Sequence, residues 1–133
     1  MRQTGSGRII NIVSLSVKTL LEGSILSTSV RMGVVGLAKL LSDELGPYNI
    51  TVNNVASGII LTDRVRSVAL KEKLAQGMSE EEALSDIAKS IPMGRIGKPE
   101  ELAALVAFLA SEQAGYITGT TIHVDGGLVQ SIY

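Results

Sequence analysis

Cysteine is absent from the 133 residues of this chain, and histidine occurs once, as His123. A disulfide framework and a thiolate metal site are therefore excluded, and one histidine cannot by itself form a histidine-rich metal site. We accordingly predict no metal-binding residues. A chain without cysteine suits a reducing compartment, so the location that we expect is the cytoplasm.

An excess of charge of one sign is also lacking. Twelve basic and thirteen acidic residues leave a formal net charge of -1, and both signs are spread along the chain. Proteins that bind nucleic acid or anionic lipid usually carry a concentrated basic patch, so we expect neither partner. The polar, glycine-rich residues 1–8 do not resemble a signal peptide, and we expect no segment long enough to span a membrane.

The chain does have enough apolar residues for a core, because 45% of its residues are hydrophobic. Its length is that of one ordinary domain, so we predict a single domain over residues 1–133. Three short segments rich in β-branched residues, Ile9–Val13, Ile50–Val55 and Thr120–Val124, are predicted strands. The first is almost continuously apolar, which is typical of a strand buried on both faces. Helical segments between the strands indicate right-handed crossovers and thus a parallel α/β sheet.

A long helix is predicted to end at Gly46-Pro47, a glycine followed by a helix breaker. Apolar residues recur in it at helical spacing: Val30, Val34, Leu37, Leu41 and Leu45. A second row contains Met32, Val35 and Ala38, and two glycines, Gly33 and Gly36, accompany it. The apolar arc is wider than one buried face requires, so the helix is expected to pack on two sides. It is either deeply buried within its own domain or in contact with another subunit.

Two further helices have clear start signals. Ser79 and Glu82 have the spacing of a capping box, which predicts a helix through about Ser90 with an inner face of Leu84, Ile87 and Ala88. Pro99 at a first helical position predicts another helix. The inner stripe of that helix comprises Leu102, Leu105, Val106 and Leu109. The charged segment 61–77 is either a mobile flap over a site or a solvated helical segment.

A glycine-rich stretch, Gly5-Ser6-Gly7, lies near the start of the chain. A dinucleotide-binding loop must follow a strand and open a helix, whose amide groups then hold the pyrophosphate. These glycines instead precede the first predicted strand. We interpret them as a turn.

Three segments, Gly7–Ser14, Asn49–Val55 and Ile117–Gly127, resemble the short-chain dehydrogenase/reductase family, especially its 3-oxoacyl-carrier-protein reductases. The resemblance covers almost the whole chain and only the C-terminal half of the family. It implies part of a doubly wound, Rossmann-like fold and an NAD(P)-linked transfer of hydride between a cofactor and a carbonyl or alcohol. A complete member has about 100 to 130 more residues upstream, judged from the size of a nucleotide-binding fold. We expect that the gene begins at an internal methionine or that the chain is a fragment.

The resemblance also implies a role for Ser14, which matches the serine that orients the substrate oxygen in the family. Ser27 stands at the position of the family's proton-transferring tyrosine, and Arg31 at that of the lysine four residues later. An aliphatic hydroxyl is a poor acid and lies closer to the backbone than a phenol, so Ser27 should not replace tyrosine. We expect Ser27 to cap the helix start. Arg31 retains the positive charge and can bind ribose hydroxyls.

The segment Ser57–Thr62 resembles the family's Pro-Gly-x-x-x-Thr loop, with serine in place of proline. By this resemblance Ser57, Gly58, Ile60 and Thr62, together with Arg31, contact NAD or NADP. Taken without the resemblance, the same segment is a plain turn from a strand into a helix.

Other candidate proton donors are less convincing. The fold that the resemblance implies places Tyr48 and Tyr116 far from Ser14, and Tyr133 is the last residue. His123 is expected to be a hydrogen-bonded strand residue with no catalytic role.

The favoured function is therefore an NAD(P)-linked oxidoreductase of the short-chain type with a degenerate motif and little activity as given. It would act on a small-molecule carbonyl or alcohol substrate. The alternative is a non-catalytic interaction or regulatory subunit with the same fold. In either case the apolar first strand would lie at a free sheet edge, so we expect a homo-oligomer or pairing with another chain.

Overall fold

A computed structural model describes residues 1–132, except for the side chains of Ala69 and Glu72. Three strands form one parallel sheet in the order β1-β2-β3. They are β1 (Gly7–Ser14), β2 (Ile50–Ser57) and β3 (Thr121–Val124). The predicted α/β fold with a three-stranded parallel sheet is thus confirmed.

Four α-helices flank the sheet: α1 (Ile25–Leu45), α2 (Leu70–Ala75), α3 (Glu80–Lys89) and α4 (Pro99–Ala110). A π-helical turn, Val65–Ala69, leads directly into α2. Segment 61–77 therefore contains the helical structure that one of its two interpretations predicts. Short 3-10 turns occupy Arg2–Thr4, Leu15–Val17, Gly46–Tyr48 and Glu112–Ala114.

Strand β2 is the centre of the sheet and is buried from Ile50 to Ala56. Its alternating side chains face two helices, since Val52 packs with α1 and Val55 with α4. The amide of Asn54 satisfies its own hydrogen-bonding groups within the sheet. It accepts a bond from Asn11 Nδ2 at 3.0 Å and donates one to Thr121 Oγ1 at 3.1 Å. The fold is therefore a sheet between two helical layers, with a polar bridge across its three strands.

Strand β1 is less buried than its sequence predicts. Val13 is its only buried residue, and Ile12 is 54% exposed. The expectation of burial on both faces is wrong because β1 is an edge strand, with β2 as its only neighbour among the described residues. The turn before β1 agrees with its interpretation, since Gly5 has a left-handed φ of 62° and the strand begins at Gly7.

Helix α1 contacts the sheet through a face centred on Ala38, which is 1% exposed. The other residues of this inner face are Val34, Val35, Leu41 and Leu45. Two residues of the predicted inner row lie outside, since Val30 is 62% and Leu37 is 56% exposed. Ala38, whose side chain is small, packs against Val52 of β2. The buried face of α1 is therefore centred on Ala38 and not on the predicted row of larger apolar residues.

The outer face of α1 is apolar and exposed. Its members are Ile25, Leu26, Val30, Met32, Leu37 and Leu40, and we call them the α1 outer face. The interpretation that this helix is deeply buried within its own domain is therefore wrong for the described residues. Residues 25–48 also have the length and mean hydropathy, 1.3, of a membrane span, which corrects the expectation that no segment approaches one. Only 11% of the most apolar 18-residue window of this helix is buried, so most of its apolar surface faces outward in the described chain.

Helices α3 and α4 begin where the sequence predicts. Ser79 Oγ accepts a hydrogen bond from the amide of Glu82 at 3.2 Å, and Glu82 Oε2 accepts one from the amide of Ser79 at 2.8 Å. The predicted capping box is therefore present. Ala83 is the deepest residue of α3, whereas Leu84, Ile87 and Ala88 are half-buried. In α4 the whole predicted stripe packs against the sheet, with Leu109 fully buried.

Candidate functional site

Two serines end neighbouring strands at the carboxyl edge of the sheet. Ser14 of β1 is in register with Ser57 of β2. Ser57 Oγ donates a hydrogen bond to the carbonyl of Val13 at 3.1 Å, and Ser14 Oγ accepts one from the amide of Ser16 at 3.2 Å. Ligands of open α/β sheets bind outside this edge. The pairing therefore places both hydroxyls where a ligand is expected.

A cavity of about 430 Å³ opens at these strand ends. Six of the predicted site residues line it: Ser14, Arg31, Ser57, Gly58, Ile60 and Thr62. They come from β1, α1 and the segment after β2, which are distant in sequence. The structure thus brings together all the predicted site residues except Ser27.

Ser27 lies beside the cavity through its contact with Arg31. Arg31 Nη1 donates hydrogen bonds to Ser27 Oγ and to the Ser27 carbonyl, the latter at 3.3 Å. The interpretation of Ser27 as a helix cap is wrong, because α1 begins at Ile25 and its N-cap position is Ser24. Ser27 is already inside the helix, and its hydroxyl binds the side chain one turn later. This contact fixes the position of the Arg31 guanidinium at the cavity wall.

The segment Ser57–Thr62 is held against the rest of the fold by backbone contacts. The amide of Gly58 donates to the carbonyl of Val124 at 2.9 Å, and a Cβ on Gly58 would lie 2.6 Å from Asp125 Cα. Only glycine permits this approach, since real Cβ atoms do not come so close to a backbone carbon. Further along, the amide of Leu61 donates to the carbonyl of Gly97 at 2.8 Å. The cavity wall is therefore fixed on two sides.

Residues 92–97, which lead into α4 and which we call the connector, are anchored by an ion pair. Arg95 donates from Nη1 to Glu101 Oε2 at 2.8 Å and from Nη2 to Oε1 at 2.5 Å. Glu101 Oε2 also accepts the amide of Lys98 at 2.8 Å. The Arg95 side chain and then this backbone amide lower the pKa of Glu101 to about 2. The Glu101 carboxylate, which accepts two hydrogen bonds from Arg95 and one from the Lys98 amide, thus holds the connector at the start of α4.

No tyrosine among the described residues lines the cavity. Tyr48 lies near the amino end of β2, where the Arg2 guanidinium is 5.2 Å from its ring centroid. Tyr116 is fully exposed, and Tyr133 lies outside the described residues. His123 corrects another expectation, because its Nε2 is buried and has no hydrogen-bond partner in the described part of the chain. It does not line the cavity either.

Five lining residues were not predicted as site residues: Arg64, Val65, Val68, Pro99 and Leu102. Sequence reasoning gave Pro99 and Leu102 structural roles as a helix start and a core residue. Arg64 could have been suspected as a site residue because it lies two residues after Thr62. The sequence, however, did not predict the conformation of this segment. The turn after Thr62 brings this side chain back to the cavity.

Comparison with known proteins finds similarity to proteins named as reductases. A family model described as "Enoyl-(Acyl carrier protein) reductase" matches residues 1–129. The short-chain reductase protein NovJ of Streptomyces niveus is 42% identical over 127 residues, which are 96% of this chain and 47% of NovJ. The 3-oxoacyl-[acyl-carrier-protein] reductase FabG of Haemophilus influenzae is 42% identical over 125 residues, covering 94% of this chain and 47% of FabG.

The fold likewise matches solved reductases. The crystal structure of the F189W actinorhodin polyketide ketoreductase with NADPH superposes with a TM-score of 0.88 at 35% identity. The match covers 97% of this chain and 49% of the ketoreductase. The chain spans about half the length of the curated relatives it matches.

Proposed function

Because this chain belongs to the short-chain dehydrogenase/reductase family, we propose that its cavity is the substrate and nicotinamide end of an NAD(P)-linked oxidoreductase site. The reaction would interconvert a carbonyl and an alcohol on a small molecule. The two relatives named above are called reductases, and the ketoreductase structure contains NADPH.

One observation carries the proposal. Ser14, Arg31 and the segment Ser57–Thr62 line a single cavity at the carboxyl ends of two parallel strands. A few polar groups in an otherwise largely apolar cavity are what a carbonyl substrate needs for orientation. Ser14 would hold the substrate oxygen through its hydroxyl.

The residues around the cavity fit the nicotinamide end of a dinucleotide. At Gly58 no side chain covers the backbone beside Asp125. Thr62 has a hydroxyl, and Arg31 has a guanidinium that can bind ribose hydroxyls. Ser57 and Ile60 complete the same wall. When bound, a reduced nicotinamide supplies the hydride. The side chains of this chain would orient the two reactants and exclude water.

The site lacks an efficient proton donor for the reaction. Ser27 contacts Arg31 but carries a hydroxyl that is a poor general acid. Arg31 keeps the positive charge that would favour an ionised phenol at position 27. We therefore expect slow turnover from the natural sequence.

The second candidate is a non-catalytic interaction or regulatory subunit that retains the fold. Two observations favour it: no tyrosine in the described part of the chain lines the cavity, and the α1 outer face is apolar and exposed. In this case the surface would serve assembly and the cavity would have no turnover.

Turnover by the purified protein, in the full length that its gene encodes, separates the two candidates. The assay follows nicotinamide absorbance with ethyl acetoacetate as the carbonyl probe. We expect measurable but slow oxidation of reduced nicotinamide, and Ser14→Ala should lower kcat by about 100-fold, as for loss of a donor to a developing oxyanion. Ser27→Tyr should raise kcat by about tenfold or more, because it introduces a general acid beside Arg31.

Ser29→Tyr is the matched control, since Ser29 is exposed on the same helix and does not line the cavity. It should leave kcat unchanged. Fast turnover that Ser27→Ala abolishes would show that Ser27 itself moves the proton and that the motif is not degenerate. Absence of nicotinamide binding in both the natural protein and Ser27→Tyr would favour the interaction subunit.

A further inference from the structure

Two guanidinium groups, those of Arg31 and Arg64, line the cavity, and no carboxylate accompanies them among its described lining residues. Among the described residues, the Arg31 guanidinium bonds only to the uncharged oxygens of Ser27. The Arg64 side chain forms no hydrogen bond or ion pair with another described residue, and only its backbone carbonyl accepts a side-chain hydrogen bond, from Ser67 Oγ at 3.2 Å. Its sequence neighbour Asp63 does not line the cavity.

Arginines elsewhere in the described chain are differently placed. Three of them have carboxylate partners, in the pairs Arg2–Glu44, Arg66–Glu80 and Arg95–Glu101. Arg8 donates to the backbone carbonyls of Gly7, Asn49 and Ser111. The fold therefore neutralises or occupies its other guanidinium groups and leaves Arg64 available at the cavity.

A guanidinium with no internal partner is suited to an oxyanion. Its planar array of N–H donors matches the two oxygens of a carboxylate or phosphate. Two like charges in one concave site also raise the local positive potential, and they attract an anion more strongly than either does alone.

Apolar side chains line the same cavity as Arg64. Val65, Val68 and Leu102 give the cavity an apolar wall. A volume of about 430 Å³ accommodates a small molecule with both an apolar body and an acidic group.

We propose that Arg64 is a specificity-determining residue that binds the acidic group, a carboxylate or phosphate, of an otherwise apolar substrate held between Ser14 and the Val65–Val68–Leu102 wall. The inference rests on the proposed function insofar as it takes this cavity to be the substrate site. It names the substrate class as anionic carbonyl or alcohol compounds.

Binding of three phenyl compounds tests the inference without turnover. Benzoate, phenyl phosphate and the uncharged benzyl alcohol are titrated into 15N-labelled full-length protein, and the Arg31 and Arg64 Nε–Hε signals are followed by NMR. At least one of the two anions should shift both signals and bind about tenfold or more tightly than benzyl alcohol, the gain expected of one charge-assisted hydrogen bond.

Substitutions identify the residue responsible. Arg64→Gln should weaken binding of that anion by about tenfold and leave benzyl alcohol unaffected, and Arg64→Lys should retain part of the affinity. Arg66→Gln is the control, because Arg66 has the same charge in the same segment but pairs with Glu80 outside the cavity. It should not change binding.

Equal binding of all three compounds, or an anion affinity that survives Arg64→Gln, overturns the inference. Displacement of the anion by NADP+ also overturns it, since the acidic group at Arg64 would then belong to the dinucleotide. Anion binding that persists with saturating NADP+ supports it. Failure of the proposed oxidoreductase function would appear separately, as absence of NADP+ binding and turnover while the anion still binds at Arg64.

Discussion

At the scale of single residues, small side chains decide the shape of the site. Gly58 lets the backbone after β2 pass against Asp125, and Ser27 leaves an aliphatic hydroxyl where the family resemblance places a phenol. Gly58 matters because a larger residue would clash with Asp125, whereas Ser27 matters because its hydroxyl differs chemically from a phenol. They can be separated, because the close approach at Gly58 is tested by stability and the hydroxyl at position 27, which contacts Arg31, is tested by turnover.

Gly58→Ala should destabilise the protein by about 1–3 kcal/mol, the range for inserting a methyl group into packed structure. The added Cβ would meet Asp125 Cα at 2.6 Å, and backbone cannot move aside as a flexible side chain can. Urea unfolding followed by circular dichroism measures the change.

Gly36→Ala is the comparison, because nothing lies within 4 Å of a Cβ built there in α1. Alanine should be neutral or stabilising at that position, by up to about 1 kcal/mol. Equal midpoints for Gly58→Ala and the natural protein would refute the close approach of the two backbones.

At the scale of elements, the connector before α4 holds the cavity wall. Gly97 pairs with the segment after β2, and Arg95 and Lys98 both bind Glu101. The pKa of Glu101 falls from the ordinary 4.5 to about 2, so its ionised form is favoured in the folded state. The resulting stabilisation is fully present above the unfolded value and is lost as the pH falls through the folded value.

Glu101→Gln should therefore reduce stability at neutral pH and make the loss of stability on acidification less steep. The measurement is urea unfolding at a series of pH values between about 6 and 2, the window that the two pKa values define. Glu82 and Asp86 also have lowered pKa values, through Ser79 and Lys73 respectively, so the difference between variants is the informative quantity.

Glu100→Gln provides the control, because the Glu100 side chain forms no ion pair or hydrogen bond with another residue of the described chain. Its acid profile should follow that of the natural protein. An unchanged profile for Glu101→Gln would mean that the connector does not depend on this carboxylate.

At the scale of the whole molecule, two surfaces remain uncovered in the described chain. One is the free edge of β1, and the other is the α1 outer face, where Leu40 is 73% exposed. Exposed strand edges and large apolar patches are typical of surfaces that associate. We therefore expect the protein to form a homo-oligomer or to pair with another chain.

Analytical ultracentrifugation should detect a species larger than the monomer, and Leu40→Lys should shift the distribution toward monomer by placing a charge in the α1 outer face. Leu74→Lys on α2 is the control, since Leu74 is also exposed but lies outside that face. A monodisperse natural monomer with rapid hydrogen exchange along β1 would count against this expectation.

Local sequence signals predicted most of the fold. Runs of β-branched residues located the three strands, the Ser79–Glu82 spacing located the α3 capping box, and Pro99 located the start of α4. Each of these signals involves residues that are close together in sequence, so it can be recognised without knowledge of the tertiary contacts. The family resemblance supplied Ser14, Arg31, Ser57, Gly58, Ile60 and Thr62, which all line the cavity, and Ser27, which does not.

The amino-acid sequence by itself determined the order and type of the main elements and the chemistry available at positions 14, 27 and 31. Only the tertiary structure decided which face of α1 meets the sheet, that Ser27 binds Arg31 instead of capping the helix, and that Arg64 turns back to the cavity. For the α1 face and for Arg64 the physical reason is distance along the chain, because how a helix packs on a sheet or how a loop closes depends on partners that no pattern within a few residues specifies. For Ser27 the reason is the start of α1, since the helix begins at Ile25 and residues 27 and 31 therefore lie one turn apart on the same helix.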